Sequence, residues 1–156
     1  MMKFKKGDCL GIDCGNNNFV GAIITRVYKG KDGMFYDLTL IEFYDESMPI
    51  ITDFLEGRYF GTRYGSPEDV SFAVDVKMMA TSYLDQYKGI ELITSLSILA
   101  EIEITGYSYT SNIKELLDDY AEEIAIRLNK SNLAEDHPEL GFNGTHLIDI
   151  KTILAY

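Results

Sequence analysis

Two stretches of β-type sequence, Phe19 to Tyr28 and Met34 to Phe43, flank the segment Lys29-Gly30-Lys31-Asp32-Gly33. β-branched and aromatic residues recur in both, and such side chains pack well on a pleated, half-buried surface. The connection ends in Asp-Gly, a pair that tolerates the positive φ that tight hairpin turns demand. The pattern predicts an antiparallel hairpin, and a chain with so long a hairpin must be organised around a sheet. Side chains alternate along a strand. Met34, Tyr36, Leu38 and Leu40 therefore share one face, and Phe35, Asp37, Thr39 and Ile41 the other.

The flanking sequence extends the sheet. Cys9 to Cys14 reads as a short strand, closed by the turn cluster Gly15-Asn16-Asn17-Asn18. Residues 44–69 are irregular: Asp45-Glu46-Ser47-Met48-Pro49 breaks the pattern, and Gly57, Gly61, Gly65 and Pro67 keep it broken, with one short strand at Arg58–Arg63. Val70 to Met78 alternates cleanly, with Val70, Phe72, Val74, Val76 and Met78 facing one way. A short helix is expected over Met79 to Tyr87, β-rich sequence over Ile90 to Thr105, and a last strand over His146 to Leu154. One long helix is expected at 112–129. Asn112 suits its N-cap and Glu115 the capping box, while Ile113, Leu116, Leu117, Tyr120, Ala121, Ile124 and Leu128 fall on one face.

These elements imply one α+β domain over residues 1–156: a curled antiparallel sheet or SH3-like partial barrel carrying one long C-terminal helix. With 46% apolar residues the chain can build a core. No apolar run approaches the roughly 20 residues of a membrane helix, and no signal-peptide pattern follows the first lysines. A cytoplasmic location with no membrane partner is expected. Cys9 and Cys14 lie on opposite faces of their strand, too far apart in direction to bridge.

Charge is the strongest global signal. Asp and Glu number 25 against 14 Lys and Arg, a formal net charge of −11. Residues 1–33 are mildly basic, with six basic and three acidic residues, whereas residues 34–100 hold four basic and eleven acidic ones. Such a field repels nucleic acid and anionic lipid and favours basic partners.

No catalytic constellation stands out. His137 and His146 lack metal-ligand spacing, so no metal or cofactor is expected. Leu10 to Val20, with Gly11-Ile12-Asp13-Cys14-Gly15, resembles the first phosphate loop of the actin-like ATPases, but Asn16 and Asn17 replace the usual hydroxyl residues and no second loop follows. An Asn-rich hairpin turn is the simpler reading.

Two acidic surfaces are candidate partner sites. On the expected helix, Glu115, Asp118, Asp119, Glu122 and Glu123 form like-charge pairs, each costing a few tenths of a kcal/mol by a rough scale for exposed helices. Between Phe43 and Tyr64, the acids Asp45, Glu46, Asp53 and Glu56 mingle with Tyr44, Phe54, Tyr59, Phe60 and Tyr64. Aromatics beside acids suit an interface with a basic partner, although such rings also fill cores.

The opening Phe4-Lys5-Lys6-Gly7-Asp8, with the later strand Phe19 to Val27, resembles bacterial polymorphic-toxin immunity proteins of the immunity protein 26 type. That resemblance covers about the first 45 residues. It implies a non-enzymatic protein that neutralises a cognate toxin, and it carries over no catalytic residues. A generic protein-interaction domain is the alternative. The same opening is also similar to the PemK/MazF toxin ribonucleases, whose Arg-Pro-apolar strand is missing here.

Overall fold

A computed structural model describes residues 2–15, 17–110 and 144–155. The hairpin forms as the sequence requires: β1 (Asp8–Asp13), β2 (Phe19–Gly30) and β3 (Gly33–Asp45) pair antiparallel in succession, with Gly30 opposite Gly33 at the tip. A short helix α1 (Ile51–Leu55) follows, then β4 (Arg58–Ser66), β5 (Asp69–Ala80), α2 (Thr81–Gln86), β6 (Ile90–Ser95), β7 (Ile104–Thr110), β8 (Gly144–Asp149) and a 3-10 turn at Ile150–Ile153.

The strands form one eight-stranded sheet of order β6-β1-β2-β3-β4-β5-β7, with β8 on β4. The free edge of β3 is shared: Phe35 to Leu38 pair with the end of β5, and Ile41 pairs with Tyr59 at the start of β4. β7 lies parallel to β5, and α2 and β6 form part of the long connection between them. A parallel partner needs such a crossover, whereas antiparallel partners need only a turn.

The α+β expectation is thereby corrected. Most described residues are in strands, the sheet is mixed rather than purely antiparallel, and the α-helices among the described residues span five and six residues. The helix expected at 112–129 lies outside the described residues. Part of the correction comes from glycine. Those of residues 57–65 read as pattern breakers, yet Gly61 sits inside β4 between two partners. A β-carbon there would lie 2.4 Å from the Ala73 carbonyl oxygen and 2.8 Å from Ile148 Cδ1. Gly61 marks a close approach of backbones rather than a loop.

Both faces of the sheet are covered. On one, Leu10, Ile12, Val20, Ala22, Ile24, Tyr36, Leu38, Leu40, Phe60, Met79 and Leu147 pack together, closed by Phe4 and by Leu84 of α2. On the other, Cys9, Ile23, Ile41, Tyr59, Val74, Val76 and Ile148 are covered by Phe54 of α1 and by Ile150 and Ile153. The alternation read in β3 holds, with Tyr36, Leu38 and Leu40 on the first face and Ile41 on the second. Cys9 and Cys14 also divide between the faces and are both free thiols.

The period fails within β2. Ile24 pairs with Leu38 but Arg26 pairs with Asp37, so Thr25 is an extra residue in the ladder. Such a bulge reverses the alternation beyond it. Val27 therefore joins Ile24 on the first face, and Arg26 sits over Asp37 on the second.

Candidate protein-docking surface

The segment from Asp45 to Glu56 crosses the second face of the sheet, and paired glycines explain how it fits. Gly11 of β1 stands directly opposite Gly21 of β2. A β-carbon at Gly11 would lie 2.1 Å from Met48 Sδ and 3.0 Å from Pro49 Cδ, and one at Gly21 would lie 2.8 Å from Ile41 Cδ1 and 3.3 Å from Phe54 Cζ. The two missing side chains open a shallow window in which Met48, Pro49 and Phe54 rest.

Asp53 starts the helix. Its carboxylate accepts a hydrogen bond from the Ile50 backbone N–H at 2.8 Å, satisfying a donor that the first helical turn leaves without a partner. Phe54 is fully buried and anchors α1 to the sheet. Ile51 and Leu55, four apart, lie along one side of the helix, and both are exposed. Ile50, Ile51 and Leu55 are 62%, 49% and 42% exposed. Three aliphatic side chains thus meet solvent in one short segment, where covering their remaining exposed surface would stabilise each by roughly 1 kcal/mol.

Acids share the segment with them. Asp45, Glu46 and Glu56 are exposed, and Asp53 is half-buried. Asp45 also accepts the Glu46 N–H, at 2.6 Å. Next to α1, Glu42 and Arg58 form a two-bond ion pair at 2.7 and 2.9 Å across β3 and β4. Asp149, opposite Arg58, is exposed as well, and exposed Lys151 supplies a basic group on the neighbouring turn.

For the rings of this region the core reading holds. Its four acids do cluster on one segment, while Phe54, Tyr59 and Phe60 are core residues and Tyr44 packs against the first core. The Tyr59 hydroxyl is engaged with Thr152 Oγ1 at 2.8 Å, and burial pushes its phenol up to about 12. The outward residues are aliphatic, and sequence reading missed them. Helical spacing alone does not separate them, because Phe54 stands three residues from Ile51 and one from Leu55. The second acidic cluster, Glu115, Asp118, Asp119, Glu122 and Glu123, lies outside the described residues, as does His137.

The other motifs have structural roles. In the Lys-Gly-Asp opening, Asp8 is 3% exposed and accepts the Lys5 N–H at 2.9 Å and the Ser95 hydroxyl at 2.5 Å. Gly7 has φ 96°, and a β-carbon there would strike the Leu96 carbonyl oxygen at 2.0 Å. The motif locks the chain start between β2 and β6. In the phosphate-loop-like segment, Asp13 Oδ1 accepts the Gly15 N–H at 2.8 Å, and the Cys14 N–H donates to the Asn18 carbonyl at 3.0 Å. The aspartate thus occupies an N–H that an anion would need, and its own charge opposes phosphate.

The perturbed titratable groups serve packing. Burial, with Asp8 adding to it, pushes the Cys9 thiol up to about 12, the reverse of an activated nucleophile. Tyr36 is likewise raised by burial and by donating to Asp85 at 2.7 Å. Asp37 is fully buried beneath Arg26, its Oδ2 2.8 Å from the guanidinium Nε; burial raises its carboxyl more than the guanidinium lowers it. Arg26 in turn lies over the Tyr28 ring at 4.0 Å. Among the described residues no three His, Cys, Asp or Glu side chains gather as metal ligands, and no helix is long and apolar enough to cross a membrane. No protein-family signature, curated protein or solved structure matches this chain.

Proposed function

We propose that the protein is a non-enzymatic binding protein of the immunity type, neutralising a basic toxin in the cytoplasm through its acidic surface. The observation that carries this reading is the exposure of Asp45, Glu46 and Glu56 on the same segment as three exposed aliphatic residues, in a chain of net charge −11. A negative inhibitor meets a cationic partner faster than diffusion alone allows, and steering of this kind weakens with salt. The buried, raised thiol of Cys9 and phenol of Tyr36 are in keeping with a protein whose side chains hold a scaffold rather than attack a substrate.

Co-expression with the protein encoded immediately upstream tests the proposal. Rescue of growth, together with a purified complex whose association rate falls as salt rises, is the expected result. Absence of both rescue and complex would remove the immunity reading.

A further inference from the structure

The exposed side of α1 has the make-up of a docking face: Ile51 and Leu55 four residues apart, Ile50 beside them, and exposed acids on the same segment. We propose that this platform binds a cationic amphipathic segment of a protein partner, its apolar side chains seated on Ile50, Ile51 and Leu55 and its Lys or Arg residues facing Asp45, Glu46 and Glu56. The proposal deepens the immunity reading and rests on it for the identity of the partner.

Three observations carry it. First, the platform is held from below: Phe54 is buried, Met48 and Pro49 fill the Gly11–Gly21 window, and Asp53 closes the first turn. A surface fixed before binding loses little freedom on complex formation. Second, Ile51 and Leu55 are separated by about 6 Å along the helix axis, a spacing that neighbouring apolar residues of an amphipathic partner reproduce. Third, charge selects the occupant. Arg58 is already paired with Glu42, and Lys151 is the basic group on the adjoining turn. The exposed charges of this segment are therefore predominantly acidic, and an acidic or neutral segment would gain contact without attraction. The apolar residues supply residence time and the acids supply association rate.

The probe is a synthetic peptide of leucine and lysine in amphipathic order, titrated into the full chain and followed by backbone amide NMR. Two comparison peptides are a leucine–glutamate analogue and oligolysine of equal charge. The leucine–lysine peptide should shift resonances within residues 45–56, the glutamate analogue should not bind, and oligolysine should bind at least about tenfold more weakly, since it lacks anchor residues. Ile51→Ser with Leu55→Ser alters exposed positions only. It should weaken leucine–lysine binding about tenfold through faster dissociation, a change typical of lost apolar contacts. Asp45→Asn, Glu46→Gln and Glu56→Gln together should slow association and flatten its salt dependence. Unchanged affinity in the serine variant, or shifts centred elsewhere, would overturn the platform. The immunity reading fails separately: if rescue survives the serine variant, this surface is wrong and the immunity reading stands. If rescue never occurs while the peptide binds as described, the platform stands and the immunity reading falls.

Discussion

Gly11, Gly21 and Gly61 lie inside strands of this sheet at positions where a side chain would collide, and the identity of the obstacle ranks their replacements. Alanine in a strand interior is worth roughly 0.5–1 kcal/mol over glycine through lower unfolded-state entropy. Crowding opposes that gain, and overpacking costs typically about 1–3 kcal/mol. At Gly11 the nearest obstacle, Met48 Sδ at 2.1 Å, belongs to a flexible side chain that can swing aside. Gly11→Ala should cost about 0–1 kcal/mol. At Gly21 the obstacles are Cδ1 and Cγ1 of fully buried Ile41, both at 2.8 Å, on a side chain stiff at χ1. Gly21→Ala should cost about 1–2 kcal/mol, lowering Tm by roughly 2–8 °C for a chain of this size. At Gly61 the obstacle is the backbone oxygen of Ala73 at 2.4 Å, which moves only if β4 and β5 separate. Gly61→Ala should cost about 3 kcal/mol or more. Urea unfolding followed by far-UV circular dichroism measures all three, because the chain has no Trp to report by fluorescence. A Gly61→Ala variant as stable as Gly21→Ala, or a Gly11→Ala variant that is the least stable, would refute this use of the close contacts.

Further expectations concern the polar core and the thiols. The Asp37 carboxyl is raised above its ordinary value of 3.8, so the folded state holds this proton more tightly than the unfolded chain. Stability from this group is present at low pH and declines as pH rises from that value through the raised pKa. Asp37→Asn should flatten that decline in urea midpoints measured across the acidic range, and an unaltered profile would count against it. Asp8→Ala strands the Lys5 N–H and the Ser95 hydroxyl, at an expected cost of about 2–3 kcal/mol and with faster hydrogen exchange along β6. A thiol-reactive dye should label half-buried Cys14 well before buried Cys9, whose labelling should follow global unfolding in denaturant. Equal labelling rates would contradict the burial of Cys9.

Local pattern was enough for several elements. Asp-Gly between two β-type runs specified the β2–β3 hairpin, and the alternation of residues 70–78 specified β5. The odd spacing of Cys9 and Cys14 placed them on opposite faces, and charge counting set the sign of the surface. Each depends on the direction in which a side chain leaves the backbone, or on composition, and both are readable from neighbours alone. The aromatic-acidic segment was legible only in part. Its acids were located, but burial of Phe54, Tyr59 and Phe60 required knowing what lies beneath them.

Tertiary structure decided the rest. Gly11 and Gly21 are ten positions apart and meaningless singly; their register across β1 and β2 makes the window that seats α1 and turns Ile51 and Leu55 outward. The extra residue at Thr25 reversed the faces of β2, the free edge of β3 was divided between β4 and β5, and β7 joined β5 in parallel. These choices compare pairings between distant segments, and packing across the whole sheet selects among them. Sequence by itself determined an acidic chain organised around a sheet, with the β2–β3 hairpin in place. Only the folded sheet determined which side chains of residues 45–56 became core and which became surface, because a residue's period sets its direction and the neighbouring strands set what it meets there.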